Sequence, residues 1–199
     1  GNIGTNAGGI KVIKYGMTRN WVLGLTVVTG KGDILRLNKG MIKNATGYDL
    51  RHLFIGAEGT LGIVTEVQVK LERQPKNLTV MVLGVPEFAN IMQILAAFQS
   101  KMDLTAFEFF DDVAVDKLLA TGHVQKPFET DAPFYALLEF EAPYEPIMDM
   151  AMQIFEDCMS EGWVLDGVMS QSIHQAQELW KLREYISETI SVFTPYKND

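Results

Sequence analysis

The chain has 199 residues, 47% of them hydrophobic and 21% charged, enough to bury a full core in one large or two small domains. Its single cysteine, Cys158, excludes a disulfide framework within the chain and fits a reducing compartment. No apolar run approaches the length of a membrane span, and no basic-then-apolar signal opens the chain. The net charge of −8 is unevenly divided: residues 1–75 carry ten Lys/Arg against five Asp/Glu, and residues 76–199 carry seven against twenty. Thirteen of the seventeen glycines also fall in the first part. This double shift predicts two domains, 1–75 and 76–199. The basic, glycine-rich one suits an anionic ligand, whereas the acidic one argues against nucleic acid, because phosphate repulsion would oppose docking.

The first nine residues, Gly-Asn-Ile-Gly-Thr-Asn-Ala-Gly-Gly, place bare backbone N–H groups and short polar side chains where a large anionic or planar ligand comes close. A surface loop or a ragged end has the same composition. Trp21–Thr29 is β-branched and apolar and reads as a buried strand. Gly30-Lys31-Gly32-Asp33 is a hairpin turn, with Ile34–Leu37 returning antiparallel. Asn44–Leu50 is a polar turn opening a short helix through Leu53 and Phe54. A second glycine cluster follows, Gly56-Ala57-Glu58-Gly59-Thr60-Leu61-Gly62. Ile63–Leu71 then alternates, with Ile63, Thr65, Val67, Val69 and Leu71 on one side of a strand, and Pro75 marks the boundary.

Beyond it, strands are predicted at Leu78–Val85, Ala106–Phe110, Phe134–Glu141 and Trp163–Met169. Helices are predicted at Glu87–Lys101, Asp112–Ala120 and Pro146–Glu161, and a last one capped by Ser172 runs through Ile186. The segment Val124–Pro133 is a loop. The order β-α-β-(α)-β-α-β predicts the split βαβ, ferredoxin-like plan of an α+β domain, an antiparallel sheet with helices on one face.

Three stretches in this order resemble the FAD-linked oxidases of the vanillyl-alcohol oxidase (PCMH) type. The resemblance is to the branch of D-lactate and D-2-hydroxyglutarate dehydrogenases and the glycolate oxidase flavoprotein. They are the opening nine residues with Tyr15-Gly16; Lys43–Leu50 with Leu53–Glu66; and Leu179–Glu184 with Ile186-Ser187-Glu188 and Tyr196–Asp199. The resemblance implies that 1–75 is the second subdomain of an FAD-binding domain and 76–199 part of a substrate (cap) domain. The start on Gly1, without methionine, reads as a processed or excised piece, and the relatives' first pyrophosphate loop, metal motif and catalytic histidine are expected outside it. The piece alone is therefore expected to bind FAD weakly or not at all, to turn over no substrate and to have its opening residues loosely held.

By the same resemblance Asn2, Gly4, Thr5, Asn6, Ala7, Gly8, Gly9, Tyr15 and Gly16 lie along the FAD. Glu58, Gly59, Leu61, Gly62, Ile63 and Val64 meet it through main-chain contacts; a β-bulge and turn leading into a strand is the alternative for this cluster. Arg183, the sole arginine after Arg73, is expected to clamp the substrate carboxylate, with a salt bridge to Glu184 or Glu188 as the alternative. Ser187 and Lys197 are expected to assist, Lys197 at the distal end. His52, His123 and His174 show no metal-ligand spacing, so no catalytic or metal residue is assigned within the chain, and a divalent metal would be held from outside it. The implied reaction oxidises a D-2-hydroxy acid (D-lactate, D-2-hydroxyglutarate or glycolate) to the 2-oxo acid. The alternatives are a flavin oxidase of an alcohol or aldehyde, and a non-catalytic binding or assembly domain. The expected location is cytoplasmic, with peripheral membrane attachment and homo-oligomer formation left open.

Overall fold

Two antiparallel sheets organise the chain, in a computed structural model that describes residues 1–192. The chain divides into two compact units, Gly1–Gln74 and Pro75–Asp199. In the first, a helical turn α1 (Val12–Tyr15) precedes β1 (Val22–Thr29), which pairs with β2 (Ile34–Leu37) and, after the turn α2 (Arg51–Phe54), with β3 (Gly62–Val69). The sheet order is β2-β1-β3. Val22, Leu25, Val27, Phe54 and Ile55 form its core, with Ile3, Leu35, Leu37 and Val64 packed against them.

The uniform alternation expected along β3 does not hold. Val27 pairs with Val64 but Thr26 pairs with Glu66, so Thr65 is an extra, bulged residue. A one-residue insertion exchanges the faces of everything beyond it. Val64 and Val67 therefore share the core face with Val27 and Leu25, while Ile63 turns to the other face, opposite Val28, and is 64% exposed.

The second unit runs β4 (Leu78–Val85), α3 (Phe88–Gln99), β5 (Leu104–Asp111), α4 (Asp112–Ala120), β6 (Phe134–Glu141), α5 (Glu145–Ser160), β7 (Asp166–Met169), α6 (Ile173–Glu184) and α7 (Ile186–Ser191). Its strands are ordered β5-β6-β4-β7, every neighbouring pair antiparallel, which is the split βαβ plan of an α+β fold. Asp111 caps α4 by accepting the Ala114 N–H at 2.9 Å, and Ser172 caps α6 by accepting that of Gln175 at 3.1 Å. Ile91, Ile94 and Phe98 of α3 and Ala151, Ile154 and Cys158 of α5 are buried. Burial, with Asp157 alongside, pushes the Cys158 thiol up to about 11, so this cysteine is an inert filler at neutral pH.

Two expectations are corrected here. Helices cover both faces of the sheet. On one face Thr79 meets Met148 of α5, and the missing side chain of Gly167 makes room for Phe155 of the same helix. Val80 and its cross-strand partner Glu139 point to the other face, where α6 packs. The last helix is also not continuous through Ile186: α6 ends at Glu184, and α7 begins after Tyr185.

α6 buries Ala176, Leu179, Trp180 and Leu182 on its face, and a buried carboxylate adds a polar tie. Glu139 is 3% exposed and accepts the Trp180 indole N–H at 2.8 Å and the Thr105 hydroxyl at 2.5 Å. Thr105 reaches it because it is itself bulged: Leu104 pairs with Phe140 but Ala106 with Glu139. Removing the carboxylate would strand both buried donors, each costing on the order of 1–3 kcal/mol. Glu139→Ala should therefore lower the unfolding free energy by about 2–6 kcal/mol in urea titration, and a change near zero would show that the carboxylate does not anchor the helix.

Candidate functional site

Residues 1–7 coil into tight turns in which the Thr5 N–H donates to the Gly1 carbonyl (3.1 Å) and the Ala7 N–H to that of Asn2 (2.9 Å). Two backbone bonds then lace the second glycine cluster to the first. The Gly56 N–H donates to the Ile3 carbonyl and the Glu58 N–H to the Gly4 carbonyl, both at 3.0 Å. Arg19 adds a third tie, its N–H donating to Asn6 Oδ1 (3.0 Å) and its Nη2 to the Ile55 carbonyl (3.3 Å). Thr18 closes the far side, with its N–H and hydroxyl on the Ala7 carbonyl at 3.0 and 2.8 Å. The expectation of a loosely held opening is therefore corrected: residues 54–58, within the chain itself, hold it.

The two clusters meet only because Gly56 can adopt φ +85 beside Asn6, whose Cβ would lie 3.2 Å from an added methyl. Around this seam the backbone stays open. A Cβ on Gly9 or Gly59 would meet nothing within 4 Å. Among the described residues, no group accepts the N–H of Gly8, Gly9 or Gly59. Open backbone donors of this kind suit phosphate oxygens or the edge of a planar ring.

Other residues expected along the cofactor are used by the fold. The carbonyl of Tyr15 accepts the Trp21 indole N–H at 2.7 Å, and the two rings meet edge-on. Gly16, at φ +68, closes α1 beside Asn20. A Cβ on Gly62 would stand 2.7 Å from the Val28 carbonyl, so the sheet alone demands glycine there. Val64 is committed to the core, and Leu61 is 49% exposed. Asn2, Thr5, Asn6 and Ala7 belong to the laced turns.

In the second unit Arg183 and Ser187 line one open cavity of about 950 Å³ with Phe88, Phe109, Phe110 and Lys117. The break at Tyr185 lies between the two residues, yet both still face this space. Arg183 takes neither expected partner, Glu184 nor Glu188. Its Nε donates at 2.6 Å to Glu108 Oε2 on β5. Lys197 lies outside the described residues.

Sequence reasoning missed Glu108, Lys117 and Arg19, and only Glu108 left a trace, as the lone charge within Phe107–Phe110. It also missed Arg51, which fastens the loop before α2. Its guanidinium pairs with Asp49 and donates to the Val22 and Leu23 carbonyls at 2.6 and 3.0 Å, and the bond from Arg51 holds the Asp49 carboxyl below its ordinary range. His52 stands 3.5 Å from Asp49, whereas His123 and His174 line a separate cavity. Among the described residues no three His, Cys, Asp or Glu side chains could hold a metal ion, and no helix is long and apolar enough to cross a membrane.

Comparison with known proteins gives this geometry a context. Residues 74–199 match the C-terminal domain of FAD linked oxidases, and residues 1–38 match an FAD binding domain. The D-2-hydroxyglutarate dehydrogenase of Stutzerimonas stutzeri (strain A1501) is 71% identical over 199 residues, covering 100% of this chain and 43% of that protein. The mitochondrial D-2-hydroxyglutarate dehydrogenase of Rattus norvegicus is 37% identical over 196 residues, covering 96% of this chain and 36% of that protein. Among solved structures, an alkyldihydroxyacetonephosphate synthase shares the fold with a TM-score of 0.66 at 22% identity, over 96% of this chain and 36% of that one. The chain thus spans less than half the length of the curated relatives it matches. On the strength of the match over residues 74–199, it belongs to the family of FAD linked oxidases.

Proposed function

We propose that the whole protein oxidises D-2-hydroxyglutarate to its 2-oxo acid with FAD, residues 1–75 forming one wall of the cofactor site and residues 76–199 part of the substrate pocket. The observation that carries this reading is the cavity in which Arg183 and Ser187 stand together with Lys117 and Asp111 among aromatic and aliphatic side chains. The likeness to proteins named D-2-hydroxyglutarate dehydrogenase supports that substrate among 2-hydroxy acids.

Open backbone in the first unit supports the FAD reading. Gly9 and Gly59 present backbone with open space where a Cβ would stand, and with Gly8 they offer three N–H donors. Bound there, FAD would supply the hydride acceptor. Asn2, Gly4, Thr5, Asn6 and Ala7 would hold the curvature of that wall. Gly62 and Val64 would act behind it, by keeping β3 close to β1.

In the second unit the terminal nitrogens of Arg183 are the groups to take the substrate carboxylate. Glu108 uses only the Nε–H of a guanidinium with five donors. A bidentate clamp fixes the carboxylate in its own plane, so the adjacent Cα–H is oriented by the same contact, and such orientation can account for several kcal/mol of a barrier. In this reading the Ser187 hydroxyl, on the same cavity, would share the substrate's polar end, and Lys197, outside the described residues, would meet the distal carboxylate. The base that takes the hydroxyl proton, and any divalent metal, would come from parts of the protein beyond this chain.

Two substitutions in the full-length protein test this reading. Gly9→Ala adds a methyl where the chain has nothing within 4 Å, so it should leave the thermal midpoint unchanged while lowering the flavin content of the purified protein. Unchanged flavin content would return the opening residues to an ordinary loop. Arg183→Met should lower kcat/KM for D-2-hydroxyglutarate, followed by dye reduction, by roughly a hundredfold or more at full flavin loading. Wild-type kinetics in that variant, or equal turnover of D-lactate, glycolate and D-2-hydroxyglutarate by the unmutated protein, would contradict the assignment.

A further inference from the structure

Arg183 sits in the last turn of α6, and so long and rotamer-rich a side chain needs support if it is to clamp a substrate. The support comes from a distant part of the chain. Glu108 lies 75 residues earlier on β5, and its Oε2 accepts the Nε–H of Arg183 at 2.6 Å. The pair is not an ordinary surface bridge: the two side chains are 19% and 33% exposed, which limits the solvent screening that makes most exposed pairs negligible.

The choice of nitrogen matters. Nε is the guanidinium nitrogen nearest the stem, so a bond there restrains the plane of the group and leaves its two terminal nitrogens outside this contact. One turn earlier Trp180, also on α6, is held by the buried carboxylate of Glu139. The helix is thus pinned through Trp180, and the guanidinium separately through Glu108. Glu184 and Glu188 are nearer in sequence and both are exposed, yet neither pairs with Arg183.

We infer that Glu108 is a positioning residue: through its bond to Nε it presents the fork of Arg183 to the carboxylate of the substrate. The inference rests on the reading of Arg183 as the substrate clamp. It requires an acceptor at position 108 and not a negative charge, since a carboxylate so close to the bound anion also repels it. Glutamine should therefore serve as well as glutamate, or better, and alanine should not.

The test is steady-state kinetics on the full-length, flavin-loaded protein with D-2-hydroxyglutarate, comparing E108A, E108Q, R183M and E108A/R183M, with thermal midpoint and flavin content measured for each. E108A should raise KM by roughly ten- to a hundredfold, E108Q should stay within about threefold of wild type or fall below it, and E108A should add nothing in the R183M background. A lowered KM in E108A would overturn the inference by making Glu108 a competitor of the substrate. So would E108Q as impaired as E108A, or an E108A effect that persists undiminished in R183M. If R183M alone leaves KM unchanged, the substrate reading of Arg183 fails and this inference falls with it, an outcome distinct from the others. Should E108A not fold, E108D carries the same test: one methylene shorter, it should raise KM, and an unchanged value would overturn the inference.

Discussion

The first unit depends on two backbone hydrogen bonds, from Gly56 to Ile3 and from Glu58 to Gly4. Without them the opening turns would have no sheet to rest on, because β1 begins only at Val22. With them, Ile3 packs against the core that holds Phe54 and Ile55, and the two glycine clusters are laced together. The bonds in turn favour glycine at position 56, where φ +85 strains any other residue and a Cβ would crowd Asn6 at 3.2 Å. The chain places its conformational freedom at this seam and rigid β-branched strands beside it, a division suited to a wall that must meet a ligand through backbone atoms.

The second unit solves a different problem, that of aiming one charged side chain from a helix end. An arginine in the last turn of a helix is poorly determined unless the helix and the guanidinium are each held. Glu139 does the first through Trp180 and Glu108 the second through Nε. Both acids lie on the sheet face that α6 covers, and both bonds span strand to helix. A buried carboxylate costs several kcal/mol unless its oxygens are satisfied, and Glu139 meets that condition through Thr105 and Trp180.

Much of this fold was legible in the residues because local patterning and tertiary packing agree. The limits of Leu78–Val85, Phe134–Glu141 and Asp112–Ala120 coincide with the elements formed, and Ser172 caps as its position suggests. What escaped reading was set by pairing rather than pattern. The Thr65 bulge, which puts Ile63 and Val67 on opposite faces, is a property of the register with β1 and leaves no mark in an alternating run. The break at Tyr185 occurs with αR backbone angles (φ −81, ψ −9) and no glycine or proline, so no punctuating residue announces it. Of the candidate site, the glycine clusters and Arg183 stood out by composition. Glu108 did not, because its partner is 75 residues away and the two charges meet only once α6 lies on the sheet. Gly62 shows the converse: it looked like part of a ligand site, and strand packing already requires it.

The proposed oxidation would draw a flavin wall and a carboxylate clamp from this chain. Anaerobic titration of the flavin-loaded, full-length protein with D-2-hydroxyglutarate, following loss of the oxidised flavin's absorbance, tests it most directly. The account predicts stoichiometric bleaching by the D enantiomer in the wild-type protein and bleaching at least a hundredfold slower when Arg183 is methionine. Flavin that stays oxidised in the wild-type protein, or that bleaches equally fast without the arginine, would contradict it.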